Sequence, residues 1–188
     1  GFEGPTDNSY DSTSDRDFVN DCHYVCSQIV LHISRIAEVL IIWSSEPFGL
    51  VEVDELFATG SSMMPQKKNP DSLELIRGKS ARIIGNFTSG MVLLKGAPTA
   101  YVRDLQEDKE PLFDSLDQTL GILKVFTGVM ETIRVNKEKM VSSLDPALYA
   151  TDVADYLVKK GIPFRKSHSL AGQLVSMAEN FTAPWMGR

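Results

Sequence analysis

The sequence predicts an all-α fold: a bundle of long helices followed by part of a small C-terminal helical domain. Apolar residues recur at three- and four-residue spacing over stretches of more than twenty residues, the period of a helix with one apolar side. The breaks between these stretches hold Gly, Pro, Asn and Asp, residues that start or stop helices. No segment convincingly alternates apolar and polar residues in the two-residue period of a half-buried strand.

Residues 1–13 are polar and turn-rich. Ser14 reads as a helix N-cap, with Asp17 as its short capping-box partner. Phe18, Cys22, Val25, Ile29, Ile33, Ile36 and Leu40 then mark a helix of about 28 residues, roughly 42 Å long. Globular cores seldom need a helix of that length, whereas bundles do. Residues 45–57 read as a loop and a short helix, and Gly60-Ser61-Ser62 as a further loop. Asn69 fits an N-cap and Pro70 a first helical residue. The second long helix carries Leu73, Ile76, Ile83, Ile84, Phe87, Met91 and Leu94, and Gly96-Ala97-Pro98 ends it. Gly78, Gly85 and Gly90 lie within it, each costing about 1 kcal/mol relative to Ala, so close packing or a functional approach must offset them. A polar stretch from Tyr101 to Glu110 leads into the third long helix, striped by Leu112, Leu116, Leu120, Leu123, Phe126, Met130 and Ile133. Pro111 either starts that helix or kinks it. After Val135 the pattern changes. Asp145-Pro146 opens a shorter helix ending at Gly161, and another runs from about Arg165 to Asn180. The domain boundary is placed near residue 143, giving 1–143 and 144–188.

The chain has 188 residues, 43% of them hydrophobic, and a net charge of −6 from 19 Lys and Arg against 25 Asp and Glu. Nucleic-acid binding favours clustered basic charge, so this balance argues against it. No unbroken run of 18 apolar residues occurs, and no membrane span is expected; nor does a charged-then-apolar signal segment open the chain. Cys22 and Cys26, four residues apart with His23 nearby, offer a metal site as one reading, but they read first as buried free thiols of a reducing compartment. His23, His32 and His168 read as structural. No metal spacing, phosphate-binding glycine loop or nucleophile elbow is present. The chain opens without Met and stops just after a helix, and is read as a piece of a longer polypeptide.

Three polar clusters lie at helix starts or in loops, where functional groups concentrate. Ser14-Asp15-Arg16-Asp17 is either a solvated helix start or a place where Arg16 grips a carboxylate bidentately. Tyr101-Val102-Arg103-Asp104-Leu105-Gln106-Glu107-Asp108-Lys109-Glu110 is either a charged turn or a polar grip by Tyr101, Gln106 and Lys109. The third, Gly60-Ser61-Ser62-Met63-Met64-Pro65-Gln66-Lys67-Lys68-Asn69-Pro70, joins a flexible start, cations, an amide and a helix-starting proline. Its bland reading is a serine-rich loop before a capped helix. Its functional reading suits a dicarboxylate: Ser61 removes a proton, Lys67 stabilises the resulting charge, and Asn69 bonds the carboxylate near a helix start. Serine ionises about six pKa units above neutrality, a cost of about 8 kcal/mol. A nearby cation and backbone N–H donors would have to offset most of it.

The Gly60–Pro70 segment resembles the signature of the fumarase/aspartase superfamily. Together with Ser14-Asp15-Arg16-Asp17-Phe18, Gln66 to Glu74 and Leu105-Gln106-Glu107-Asp108-Lys109-Glu110, it is similar to the argininosuccinate lyases and their lens relatives, the delta-crystallins. The similarity runs over nearly the whole chain and weakens after about residue 180. It implies reversible β-elimination of argininosuccinate to arginine and fumarate, in arginine biosynthesis or the urea cycle, without a cofactor and in the cytoplasm. By matched motif positions it implies Ser61 as the base, Lys67 and Asn69 on the fumarate-side carboxylate, and Arg16, Tyr101, Gln106 and Lys109 on substrate. Glu74 would pair with a general-acid histidine belonging to a segment upstream of Gly1. The resemblance further implies a homotetramer in which three subunits build each site, so the chain is expected to be inactive alone. Val102 departs from the family, where Asn is more usual. Two other readings stay open: a sibling fumarate-releasing lyase acting on adenylosuccinate, aspartate or malate, and a crystallin-like structural protein.

Overall fold

The computed structural model describes residues 3–64 and 68–182. The chain divides into two compact units, Gly1–Asn136 and Lys137–Arg188, so the division falls ahead of residue 143.

The first unit is built on three long helices, α2 (Asp17–Ser44), α3 (Asp71–Lys95) and α4 (Lys109–Thr132), preceded by a short α1 (Ser9–Ser14). Cross-helix pairs fix their directions. Glu38 meets Arg77, and Tyr24 meets Phe87 edge-on at 6.2 Å between ring centroids, so α2 and α3 run antiparallel. Arg82 pairs with Asp114, and Lys79 donates to Gln118 at 2.5 Å, so α3 and α4 are antiparallel too. His23 meets Ser115 and Arg16 meets Asp108, both 92 residues apart, so α2 and α4 run parallel and in step.

Ser14 does not cap α2. Asn8 caps α1 by accepting from the amides of Tyr10 and Asp11, and Ser14 closes that helix. Asp15 then receives the Asp17 amide at 2.8 Å, while Arg16 stands at the N-cap of α2 and no side chain caps that position. At α3 the start is shifted: Pro70 occupies the cap position and no side chain caps the helix. Asn69 instead belongs to a two-residue strand. Pro111 falls in the first turn of α4, where its missing N–H would have had no helical partner anyway, and it starts the helix.

Residues 45–57 hold turns and a strand in place of the expected short helix. Two small antiparallel ladders occur: β1 (Val51–Glu52) with β4 (Arg134–Val135), and β2 (Thr59–Gly60) with β3 (Lys68–Asn69). At two residues each, they are too short to show a period in the sequence.

The buried faces are partly polar and coincide only in part with the predicted stripes. Helix α2 buries Val19, His23, Cys26, Ser27, Val30, Ile33, Ala37 and Leu40, whereas Phe18, Val25 and Ile36 of the predicted stripe are exposed. Helix α4 buries Ser115, Thr119, Ile122 and Val129 and exposes Leu116, Leu120, Leu123 and Met130. The inner seam is narrow and partly polar. Gly90 shows why: a Cβ there would lie 2.7 Å from Asn20 Oδ1 and 3.3 Å from the His23 ring. By contrast, Gly78 and Gly85 face open space. Phe57 seats its ring against Gly128 in the same way, tying the 50s turn to α4.

Helix α2 is also long and apolar enough, by length and composition, to cross a membrane. Its richest 18-residue window has a mean hydropathy of 1.7 and is 33% buried. The expectation of no span rested on the lack of an unbroken apolar run. Two of the residues that break the run, His23 and Ser27, point inward.

The second unit comprises α5 (Lys137–Ser142), a 3₁₀ turn over Pro146–Tyr149, α6 (Ala150–Lys159) and α7 (Phe164–Thr182). Asp145 caps the 3₁₀ turn through the Ala147 amide at 2.8 Å. Gly161, at φ +88°, ends α6, and the Ile162 and Gly161 amides reach back to the Leu157 and Val158 carbonyls. That paired closure needs a left-handed residue, which glycine adopts at least cost. Helices α6 and α7 pack together, leaving a cavity of about 510 Å³ lined by Leu144, Tyr149, Val153 and Leu174 among others.

Candidate functional site

Every predicted site residue lies in the first unit, and they fall at two ends of the bundle. Ser61, Asn69 and Glu74 sit where α2 ends and α3 begins; Arg16, Tyr101, Gln106 and Lys109 sit where α2 begins and α4 starts. The 28 residues of α2 separate these ends, about 42 Å at 1.5 Å per residue. Lys67, with Pro65 and Gln66, lies outside the described residues.

At the first end, the β2–β3 pair brings Gly60 opposite Lys68 and Thr59 opposite Asn69. Thr59 also hydrogen-bonds Asp71, and Ser72 Oγ donates to the Phe57 carbonyl at 2.6 Å. The neck of the signature loop is therefore fastened to the first turn of α3. Beyond it, the half-buried Ser61 accepts from the backbone N–H groups of Met63 at 3.3 Å and Met64 at 3.1 Å. Two donors on one hydroxyl oxygen favour its ionised form over its neutral form. This is the kind of help that a serine base requires. Asn69 and Glu74 share a cavity of about 710 Å³ with Lys68, Met64, Ser44 and Glu46. Glu74 is exposed, in the first turn of α3.

Beside the neck, Lys68 Nζ lies 2.9 Å from Glu52 and 3.1 Å from Glu55. These carboxylates raise the Lys68 pKa, and the Lys68 hydrogen bond holds Glu52 below its ordinary value.

At the second end, Asp108 is 6% exposed and accepts from Arg16 Nε at 2.7 Å on one oxygen and from Lys109 Nζ at 2.9 Å on the other. The two predicted cations at this end thus share one buried carboxylate. Asp108 was not singled out in the sequence, where it looks like one more charge in a solvated run. The available signal was its place directly before Lys109 at a helix start. Gln106 Nε2 donates to the Tyr101 hydroxyl at 3.0 Å. Ala100, at φ 72°, turns the chain immediately before Tyr101. This is a left-handed conformation uncommon outside glycine.

Between the ends lies a buried polar seam. His23 is fully buried, with Nδ1 3.1 Å from Ser115 Oγ, which also accepts from Asn86 Nδ2 at 3.1 Å. Loss of water around the imidazole lowers its pKa below the ordinary 6.5. No group of three or more His, Cys, Asp or Glu able to hold a metal occurs among the described residues.

A family model described as "Lyase" matches residues 1–85, and one described as "Argininosuccinate lyase C-terminal" matches residues 147–183. The argininosuccinate lyase of Schizosaccharomyces pombe is 52% identical over 179 residues, 95% of this chain and 39% of that protein. The argininosuccinate lyase of Herpetosiphon aurantiacus is 54% identical, with the same coverage. The chain spans about two fifths of the length of these curated relatives. Among solved structures, an EDDS lyase in complex with formate superimposes with a TM-score of 0.81 at 30% identity, over 95% of this chain and 36% of that one. A 3-carboxy-cis,cis-muconate lactonizing enzyme from Pseudomonas putida, at 0.74 and 18% identity, covers 88% of this chain and 38% of that one and shares the fold. With this long-helix fold, this signature loop and relatives of about 50% identity along nearly its whole length, the chain belongs to the argininosuccinate lyase family of the fumarase/aspartase superfamily.

Proposed function

We propose that this chain supplies part of the active site of an argininosuccinate lyase, which splits argininosuccinate into arginine and fumarate. The observation that carries the substrate assignment is the set of relatives named for that activity, about half identical over 95% of the chain. Ser61 Oγ takes the proton from the carbon beside a carboxylate. The Met63 and Met64 amides that already face this oxygen stabilise it as it accepts negative charge from ionisation. Lys67 holds the aci-carboxylate that forms, and Asn69 binds the same carboxylate. The carbanion's electron pair then forms the fumarate double bond as the C–N bond breaks. A general acid outside these 188 residues, oriented by Glu74, protonates the leaving guanidino nitrogen. Arg16, Tyr101, Gln106 and Lys109 bind substrate. The steps are proton transfer and bond cleavage, and they call for no cofactor.

One copy cannot bring groups some 42 Å apart onto one small substrate, so the two ends serve sites completed by other copies. The outward Leu116, Leu120 and Leu123 stripe supports such an assembly, read here as a homotetramer. Arginine synthesis in the cytoplasm, with no membrane or nucleic-acid partner, completes the reading.

The test is fumarate release by the full-length protein that carries this sequence, offered argininosuccinate, adenylosuccinate, aspartate and malate separately. Turnover of argininosuccinate is expected; turnover of adenylosuccinate alone would overturn the assignment. Ser61→Ala should lower kcat by about 10²–10⁴-fold, the range for a general base, with unchanged folding by circular dichroism. Near-normal kcat would remove Ser61 from that role.

A further inference from the structure

We infer that Lys68 is a positioning residue: its ammonium, seated between Glu52 and Glu55, fixes the neck of the Ser61 loop against the neighbouring β1–β4 ladder. The inference rests on the reading of Ser61 as the base.

Three observations place Lys68 in this role. Its backbone is in β3, directly opposite Gly60, so it stands one residue from Ser61 across the ladder and one residue from Asn69 along the chain. Its side chain leaves the loop and reaches Glu52 at 2.9 Å and Glu55 at 3.1 Å. Glu52 is itself in β1, paired with Arg134 of β4, and that ladder joins the turn after α2 to the end of α4. The ammonium therefore connects the loop's neck to the β1–β4 ladder.

A two-residue ladder alone is a weak fastening, because isolated two-stranded pairing is marginal in water. Thr59 with Asp71 fastens one strand of the neck, and Lys68 fastens the other. Ion pairs of this exposure are individually small. Here one cation meets two carboxylates, and Arg134 approaches the adjacent Asp54 at 3.9 Å, so the cluster alternates in sign and acts as a network. Held by these carboxylates, Lys68 has a task separate from that assigned to Lys67.

The experiment compares Lys68→Met, Lys68→Arg and Glu52→Gln/Glu55→Gln in the full-length protein, measuring fumarate release and amide hydrogen exchange. Lys68→Met should lower kcat about fivefold, the upper range for an exposed pair, and leave KM nearly unchanged. Exchange at Thr59, Gly60, Lys68 and Asn69 should quicken while the α2–α4 amides keep their protection. Lys68→Arg should restore both, and the double Gln variant should reproduce the Met phenotype with the lysine still present. That double variant decides the matter if Lys68→Met fails to fold. Unchanged kcat in the double Gln variant, or a loss accompanied by faster exchange throughout α2–α4, would overturn the positioning role. If the unaltered protein releases no fumarate from argininosuccinate, the lyase reading falls, and exchange at the four neck amides then decides the fastening alone.

Discussion

Asp108 carries more of the second cluster than any residue that the sequence marks out. Its two oxygens are divided between Arg16 and Lys109, so one buried carboxylate fixes both cations and sets α2 in step with α4. Removing one partner of a desolvated, charged hydrogen bond leaves the other uncompensated. Asp108→Ala should therefore cost about 1–3 kcal/mol in urea denaturation. A cost below about 0.5 kcal/mol, the usual scatter of surface changes, would mean that water replaces the carboxylate. Its role was hidden because charge runs before helices are normally solvated, and only the fold carries Arg16 across 92 residues to meet it. The surroundings of Ser61 are local instead: its neighbours in sequence are its neighbours in space, and the two amides that face its hydroxyl are two and three residues away.

Among the elements, the long helices were readable from periodicity, but their inward faces were not. Helices α2 and α4 are apolar on more than one side, so spacing alone could not choose between the stripe containing Phe18 and Ile36 and the one containing Val30 and Ala37. Packing chose the smaller residues, which let the helices approach around Gly90. The seam's polar members then make it pH-sensitive. His23 is neutral inside, its pKa depressed by burial, whereas the unfolded chain protonates it near 6.5. The unfolded state therefore binds the extra proton first. Its contribution to stability is complete above pH 6.5 and declines as the pH falls from there toward the depressed folded value. Urea titrations from about pH 7.5 to 5 should show this loss, and His23→Asn, which can still meet Ser115, should flatten it. Equal slopes in both proteins would assign the dependence to other groups. Asn69 offers a smaller lesson of the same kind. It has the chemistry of an N-cap, but the β2–β3 pair claims its backbone and leaves Pro70 at the cap position.

For the first unit as a whole, the large outward side chains decide its behaviour in solution. Phe18, Val25, Ile36, Ile84, Met91, Leu116, Leu120 and Leu123 are exposed along three helices, and large exposed apolar surface marks an association site. The chain should sediment as an oligomer, and Leu116→Glu/Leu120→Glu should shift it to the monomer while helicity is retained. A wild-type chain that stays monomeric at its highest soluble concentration would refute association through this face. The same surface has a consequence for how the protein is made. A helix that buries a narrow, partly polar seam and leaves large apolar side chains outward has not buried all of its apolar surface by intramolecular folding. On the proposed assembly the last step toward the native state is bimolecular, so the yield of native protein should depend on how many copies are present when each one emerges.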